Sequence, residues 1–240
     1  MTRYSLNPAF SIATKSVAAS ARIPFAKGIL FTFFPVLLMS GCSALPDKPV
    51  RAAMVDFGPG NLTATATVTA QPGSLPPIAI DDITTAGGAL DNTSVLYRLA
   101  YADPQELRPY SLTRWTMAPA QLVRQRLRDM LGQSRIVYSA GESAALNRST
   151  SPVLPRLLRL ELQEFSQVFT APDTSVGLIR LRASLLEITP AGEKLVSQRG
   201  FDVQRLAVSN DATGGVRALT AATDAAVGLI DQWLQAMQPR

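Results

Sequence analysis

The chain carries one thiol, Cys42, set directly behind an apolar run in the stretch LLMSGCSALPDKPV (Leu37–Val50). A thiol can act as a nucleophile, a metal ligand, a disulfide partner or an acylation site. A single cysteine forms no intramolecular disulfide, and the chain has no histidine. A thiol–imidazole pair, a histidine-based triad and a histidine metal site are therefore all impossible. No Gly-rich loop ending in Lys-Ser/Thr is present to cradle a phosphate. Asp81–Asp82 is a carboxylate pair, but neighbours on a strand point to opposite faces, so it reads as a solvated strand end rather than an acid–base pair. No metal or catalytic set emerges. What remains is acylation at Cys42, surfaces for binding, and carboxylates distant in sequence that could still meet in space. Tyr110 and Trp115 are candidate aromatic anchors, with core packing as the alternative,. Arg124 and Arg128, four residues apart on one helix side, are a candidate basic docking face or a solvated one,.

The segments around Cys42 decide its chemistry. Gly28–Ser40 reads GILFTFFPVLLMS, interrupted by Pro35. That is short of the roughly 20 apolar residues a bilayer-spanning helix needs and suits the apolar region of a signal peptide. Arg3, Lys15, Arg22 and Lys27 precede it with no acidic residue. Met39–Ser40–Gly41–Cys42 resembles the cleavage site of bacterial lipoproteins, with Met39 where leucine is usual. The resemblance implies that residues 1–41 are a signal peptide and that Cys42 becomes the mature N-terminus. Cys42 would then carry a thioether-linked diacylglycerol and an N-acyl chain such as palmitate, since two or three chains anchor stably where one does not. Residues 42–51, with Pro46, Asp47, Lys48 and Pro49, read as a solvated tether. Residues 52–240 read as a single domain.

That division changes the charge argument. The whole chain is +5, but residues 1–41 hold four of its 23 basic groups and none of its 18 acidic ones, leaving the remainder at +1. The basicity belongs to the targeting segment, and a nucleic-acid partner is not indicated.

The pattern beyond the tether predicts its elements. Ala52–Phe57 reads as an opening strand stopped by Gly58-Pro59-Gly60, and Leu62–Ala70 alternates loosely with Thr. Ile78–Ile83 and Val95–Tyr101 read as strands, the second broken by Asp103-Pro104,. Pro119 suits the first position of a helix that Gly132 closes, with Leu122, Val123, Leu127, Met130 and Leu131 on its apolar side,. A short strand near Arg135–Tyr138 precedes a polar loop through Pro152. Leu157–Val208 predicts a three-stranded antiparallel meander with turns at Pro172-Asp173 and Pro190–Glu193,. Leu158, Leu160 and Leu162 alternate with Arg159, Glu161 and Gln163, so one face is covered and one is wet,. The charged rows, Arg159/Glu161 beside Arg180/Arg182, could pair across strands or meet another subunit. A final helix from about Asp211 to Met237 carries Leu219, Ala226, Ile230 and Trp233 at helical spacing. The expectation is an α/β sandwich: a mixed, largely antiparallel sheet with helices mainly on one face.

Tyr97–Leu131, YRLAYADPQELRPYSLTRWTMAPAQLVRQRLRDML, resembles the ABC-type transport auxiliary lipoprotein family of the PqiC/YmbA type. The matching positions are Tyr97, Tyr110, Arg114, Trp115, Pro119, Leu122 and Leu127, followed in order by the Leu158–Phe165 strand and the alanine-rich last helix. The resemblance implies a non-enzymatic envelope component without a cofactor, working beside an ABC transporter and an MCE-domain protein that move lipids between membranes. Its implied partners are the MCE-domain protein and the membrane itself; the patterned charged rows add the expectation of a homo-oligomer, with solvated faces of a monomer as the alternative. Ser43, where Asp would favour inner-membrane retention, implies the periplasmic face of the outer membrane. The competing expectation is a periplasmic carrier holding an acyl chain in an apolar pocket.

Overall fold

The elements run β1 (Ala53–Val55), β2 (Ile78–Ile80), β3 (Thr84–Thr85), a 3₁₀ turn (Gly88–Leu90), β4 (Ser94–Leu99), β5 (Asp103–Trp115), α1 (Pro119–Leu131), β6 (Val137–Ser139), β7 (Arg156–Ala171), β8 (Thr174–Thr189), β9 (Gly192–Leu206) and α2 (Ala212–Ala236). They belong to a computed structural model that describes residues 50–59, 75–139, 141–142 and 154–238. Cys42, the segment 1–41, the tether up to residue 49 and the Leu62–Ala70 alternation lie outside the described residues. Every element named here falls within the unit Pro49–Arg240.

The meander is as expected. β7 and β8 pair antiparallel over nearly their whole length, as do β8 and β9. Pro172-Asp173 makes the first turn. The second closes on Gly192, whose φ of +116° is open to glycine and strained for other residues,. The other edge of β7 is shared in succession. β2 pairs with its start, β3 with its middle and β4 with its end, all parallel. β6 then extends the sheet beyond β2, while β5 and β1 extend it beyond β4. The result is a curled half-barrel of mixed sheet with two helices packed against it. Its long pairings are antiparallel and its short flanking ones are parallel.

Leu158, Leu160, Leu162, Ile179, Leu181 and Leu185 point from the meander into one apolar core, which α2 covers with Leu219, Ala222, Ala226 and Ile230. Each such leucine or isoleucine contributes about 1.5–3 kcal/mol on burial. Asp211 caps α2 by accepting from the Gly214 N–H at 2.7 Å,. The small residues of the first turns let the helix lie close. A Cβ on Gly177 of β8 would come within 2.5 Å of the Ala218 and Leu219 backbone.

Two expectations about elements need correction. The break expected at Asp103-Pro104 is instead the start of β5, a 13-residue strand. Proline cannot donate to a ladder and is tolerated at edges and bulges. The β4–β5 pairing is irregular there, with register shifts around Leu96↔Pro109 and Tyr97↔Arg108. The strand expected over Ile78–Ile83 ends early, at Ile80, as β2; Asp81 and Asp82 lie in the gap before β3, which begins beyond the expected range at Thr84.

Candidate functional site

Trp115 ends β5 fully buried, its ring 5.7 Å from Phe57 and 5.6 Å from Phe165. It is a core residue and offers no surface to a partner, which corrects its candidacy as an anchor. The reason is a pairing distant in sequence. β1 pairs with the end of β5, Val55 beside Trp115, and closes the sheet over the indole.

Tyr110 sits at a different place, half-buried beside Tyr97 with ring centroids 4.6 Å apart. Its hydroxyl donates to Gln167 Oε1 at 2.8 Å. Gln167 Nε2 donates to Ser175 Oγ, and Ser175 donates to Asn210 Oδ1. This chain of side chains ties β5 through β7 and β8 to the approach of α2. Gly215 makes room for it, since a Cβ there would meet Gln167 Oε1 at 2.1 Å. Burial, with Tyr97 and Asp211 adding, pushes the Tyr110 phenol up to about 12,.

Arg124 and Arg128 are not the free row that their spacing suggests. Arg124 forms an ion pair with Asp82 in the β2–β3 gap. Arg128 is partly exposed near Glu142. Hydrogen bonds from the Ser139 backbone and side chain hold the Glu142 carboxyl below its usual range, with Arg128 adding to the effect. Tyr110, Trp115 and the arginine pair thus lie at separate places and form no single constellation.

The face of the meander turned away from α2 carries the charged rows, and they pair across strands. Arg182 meets Glu161 at 3.1 Å, Arg180 meets Asp202 at 2.9 Å, and Arg159 reaches both Glu193 at 3.1 Å and Asp81 at 3.2 Å. Arg98 on β4 meets Glu164 at 3.1 Å. Arg98 and Glu164 are more sheltered, while the exposed pairs on the meander contribute only about 0–1 kcal/mol each. Their consequence is a polar, ordered surface with charges of both signs. Beside it, β9 pairs only with β8 among the described residues, and Leu195 and Leu206 are exposed along it.

Sequence reasoning passed over the two arginines that join helix to helix and loop to helix. Arg126 on α1 pairs with Asp224 on α2, and the buried Arg135 pairs with Asp231. The one signal was spacing: Arg126 falls off the side shared by Arg124 and Arg128 and so faces something else. Among the described residues no group of three or more Asp, Glu, His or Cys side chains could hold a metal ion. None of their helices is long and apolar enough to cross a membrane.

No protein-family model matches the chain, and no curated protein matches it in sequence. Solved structures do match. The fold is similar to that of protein XCC0632 from Xanthomonas campestris, of the family DUF330, at a TM-score of 0.55 and 17% identity over 69% of this chain and 90% of that one. More distant alignments include the hypothetical protein CT253 from Chlamydia trachomatis (TM-score 0.43, 11% identity, 68% of this chain and 96% of that one). Another is lipoprotein GNA1162 from Neisseria meningitidis (TM-score 0.27, 12% identity, 66% and 99%). The first establishes a shared fold. At these TM-scores the other two add nothing to it.

Proposed function

We propose that this chain is a non-enzymatic, lipid-anchored envelope component that docks a periplasmic partner at a membrane. The partner would be the MCE-domain protein of an ABC-type lipid transport system. The observation that supports this reading is the combination of the Met39–Cys42 motif with a sheet against which α1 and α2 pack, while the meander face turned away from α2 carries ordered, mixed-charge rows among the described residues. Acyl chains on Cys42 hold the domain at the periplasmic face of the outer membrane. The tether spaces it away by at most about 3.3–3.6 Å per residue. The paired arginine and carboxylate rows, with Arg124, Arg128 and the Tyr97–Tyr110 rim, then supply electrostatic complementarity to a partner or to further copies of the chain. No cofactor and no chemical step is required of it, and ATP hydrolysis belongs to other subunits.

The test is recovery of the tagged full chain from membranes in mild detergent, followed by identification of what accompanies it. An MCE-domain protein or its permease among the stoichiometric partners supports the reading. A chain recovered alone, from membranes that contain such proteins, overturns it.

A further inference from the structure

The unpaired N–H and C=O groups along a sheet edge are a template for another strand. Among the described residues β9 pairs only with β8, and it runs for 15 residues. The other edges are blunted. β1 and β6 are three residues each, and β5 carries Pro104 and Pro109, which lack the donor that a new neighbour needs. β9 has no proline. A bulge near Val196 interrupts its register, but Ser197–Leu206 faces Val176–Leu185 without a break.

α2 overhangs this edge. Its Trp233 ring lies 5.9 Å from that of Phe201. Along the border runs an open groove of about 310 Å³, lined by Arg199, Phe201, Leu229, Gln232, Trp233 and Ala236 among others. Leu229 is 44% exposed there. α2 rests on both β8 and β9. Strands stand about 4.8 Å apart, so a second copy joined edge to edge would set its α2 two strand spacings away, about 10 Å. That is the interaxial distance of packed helices, and it would close the groove with another helix.

We infer that β9 pairs antiparallel with β9 of a second copy of this chain, across a two-fold axis normal to the sheet. Such an axis keeps both α2 helices on one side. Residues that face each other across a ladder share a sheet face, so one residue of β9 must face itself. Charge selects which. An axis at Arg199 opposes two arginines, and one at Asp202 opposes two aspartates and also Arg199 with Arg205. Like charges directly opposite are destabilising. An axis at Phe201 opposes none, and it alone pairs the whole unbroken stretch from Ser197 to Arg205: Gln198 against Gln204, Arg199 against Val203, Gly200 against Asp202. The edge is thus self-complementary in charge and in helix spacing, which singles out a second copy as its occupant. This does not depend on the docking role proposed above.

The full chain in a non-ionic detergent should sediment as a concentration-dependent dimer. Cysteine cross-linking reads the register. Gln198 and Gln204 are exposed, on the same side of β9 as Asp202 and away from α2. With the axis at Phe201 each faces the other across the pair, with Cα atoms about 4.5–5.5 Å apart, within reach of a disulfide. Within one chain the two positions lie about 20 Å apart along the strand. Gln198→Cys combined with Gln204→Cys should therefore give, on mild oxidation, a dimer-sized band that both single variants and the parent lack. The parent reads any background from Cys42. Leu229→Arg sets a further cation beside Arg199 on each copy and should weaken dimerisation by about tenfold or more. Its melting temperature should move by only a few degrees. A chain that stays monomeric at every concentration overturns the inference, whether a segment of the chain itself or another protein takes the edge. So does a double-cysteine variant cross-linked no better than the single ones, or Leu229→Arg dimerising as well as the parent. None of these readouts involves the periplasmic partner, so their failure leaves the docking role standing.

Discussion

Arg126 on α1 grips Asp224 on α2 as a fork, Nε donating to Oδ1 at 2.6 Å and Nη2 to Oδ2 at 2.9 Å. The two residues are 98 apart in sequence, so the clamp fixes how the helices meet over the sheet. Hydrogen bonds to charged groups contribute about 1.5–3 kcal/mol when well sheltered. Here the side chains are 21% and 36% exposed, which brings the expectation to about 1 kcal/mol. Asp224→Asn should lower the urea midpoint accordingly. A double-mutant cycle with Arg126→Gln should show coupling between the two sites, and zero coupling would mean that the fork is not maintained in solution.

Trp115→Ala should cost about 3–5 kcal/mol, as expected for removing a large aromatic from a core. Trp115→Phe should cost less, because Phe57 and Phe165 still find a ring between them. Denaturant melts of the two variants check this. Near-parental stability of the alanine variant would place the indole at the surface after all.

Gly177→Ala tests the contact of α2 with β8. The new methyl would stand 2.5 Å from backbone atoms of Ala218 and Leu219, so strand or helix must shift. Overpacking of this kind costs roughly 1–3 kcal/mol. Gly200→Ala on β9, with nothing within 4 Å of the added atom, is the matched control. Equal melts for the two would refute the close approach.

Tyr110 carries a pH dependence. Its phenol titrates at about 12 in the folded chain, against about 10 unfolded. Between those values the native state holds a proton that the unfolded chain releases. The stability from this residue is therefore full below pH of about 10 and is lost as the pH rises toward 12. Absorbance titration of phenolate should show a component that ionises late, and Tyr110→Phe should remove it. A parent titration with no late component, or one that Tyr110→Phe leaves in place, would contradict the burial.

How much of this was legible in the sequence depended on the range over which each signal acts. β7 to β9 announced themselves because one dry face and one wet face impose a period of two. Even there the phase changes at a bulge, where Leu162 faces Leu181 but Phe165 faces Ile179, so Phe165 reaches the core out of step with the leucines before it. β5 was masked by Pro104 and Pro109, residues that argue against a central strand yet fit an irregular one. Trp115 could not be placed from its neighbours, since the closing contribution comes from β1 some 60 residues earlier. The pairing of β2 with β6 and β7 was invisible for the same reason, since Ile78, Val137 and Arg156 carry no shared local pattern and only the parallel register brings their segments together.

Cys42 is open to a direct chemical test. In cells fed a fatty-acid analogue, the chain should take up label and its mature form should begin at Cys42, because two or more acyl chains are needed for stable anchoring. Cys42→Ala should lose the label and leave the membrane fraction. Label that persists in that variant, or a mature protein that still contains residue 1, would remove the lipid anchor from the account.

The face of the meander turned away from α2 separates docking from mere solvation. Glu161 lies opposite Arg182, and Arg180 opposite Asp202, in ladder register. Reversing Arg180 and Arg182 to glutamate breaks two exposed ion pairs and sets like charges side by side. Each loss costs at most about 1 kcal/mol of stability, so the double variant should fold. Interfaces respond differently, since charge reversal there slows association and disfavours the complex. If this face meets the partner, recovery of that partner with the double variant should fall by about tenfold or more. The melting temperature should shift by only a few degrees. Arg124→Glu with Arg128→Glu makes the parallel test on α1. Undiminished recovery with both double variants would show that neither charged surface docks a partner, and would move the search to the free edge of β9 with its exposed Leu195 and Leu206.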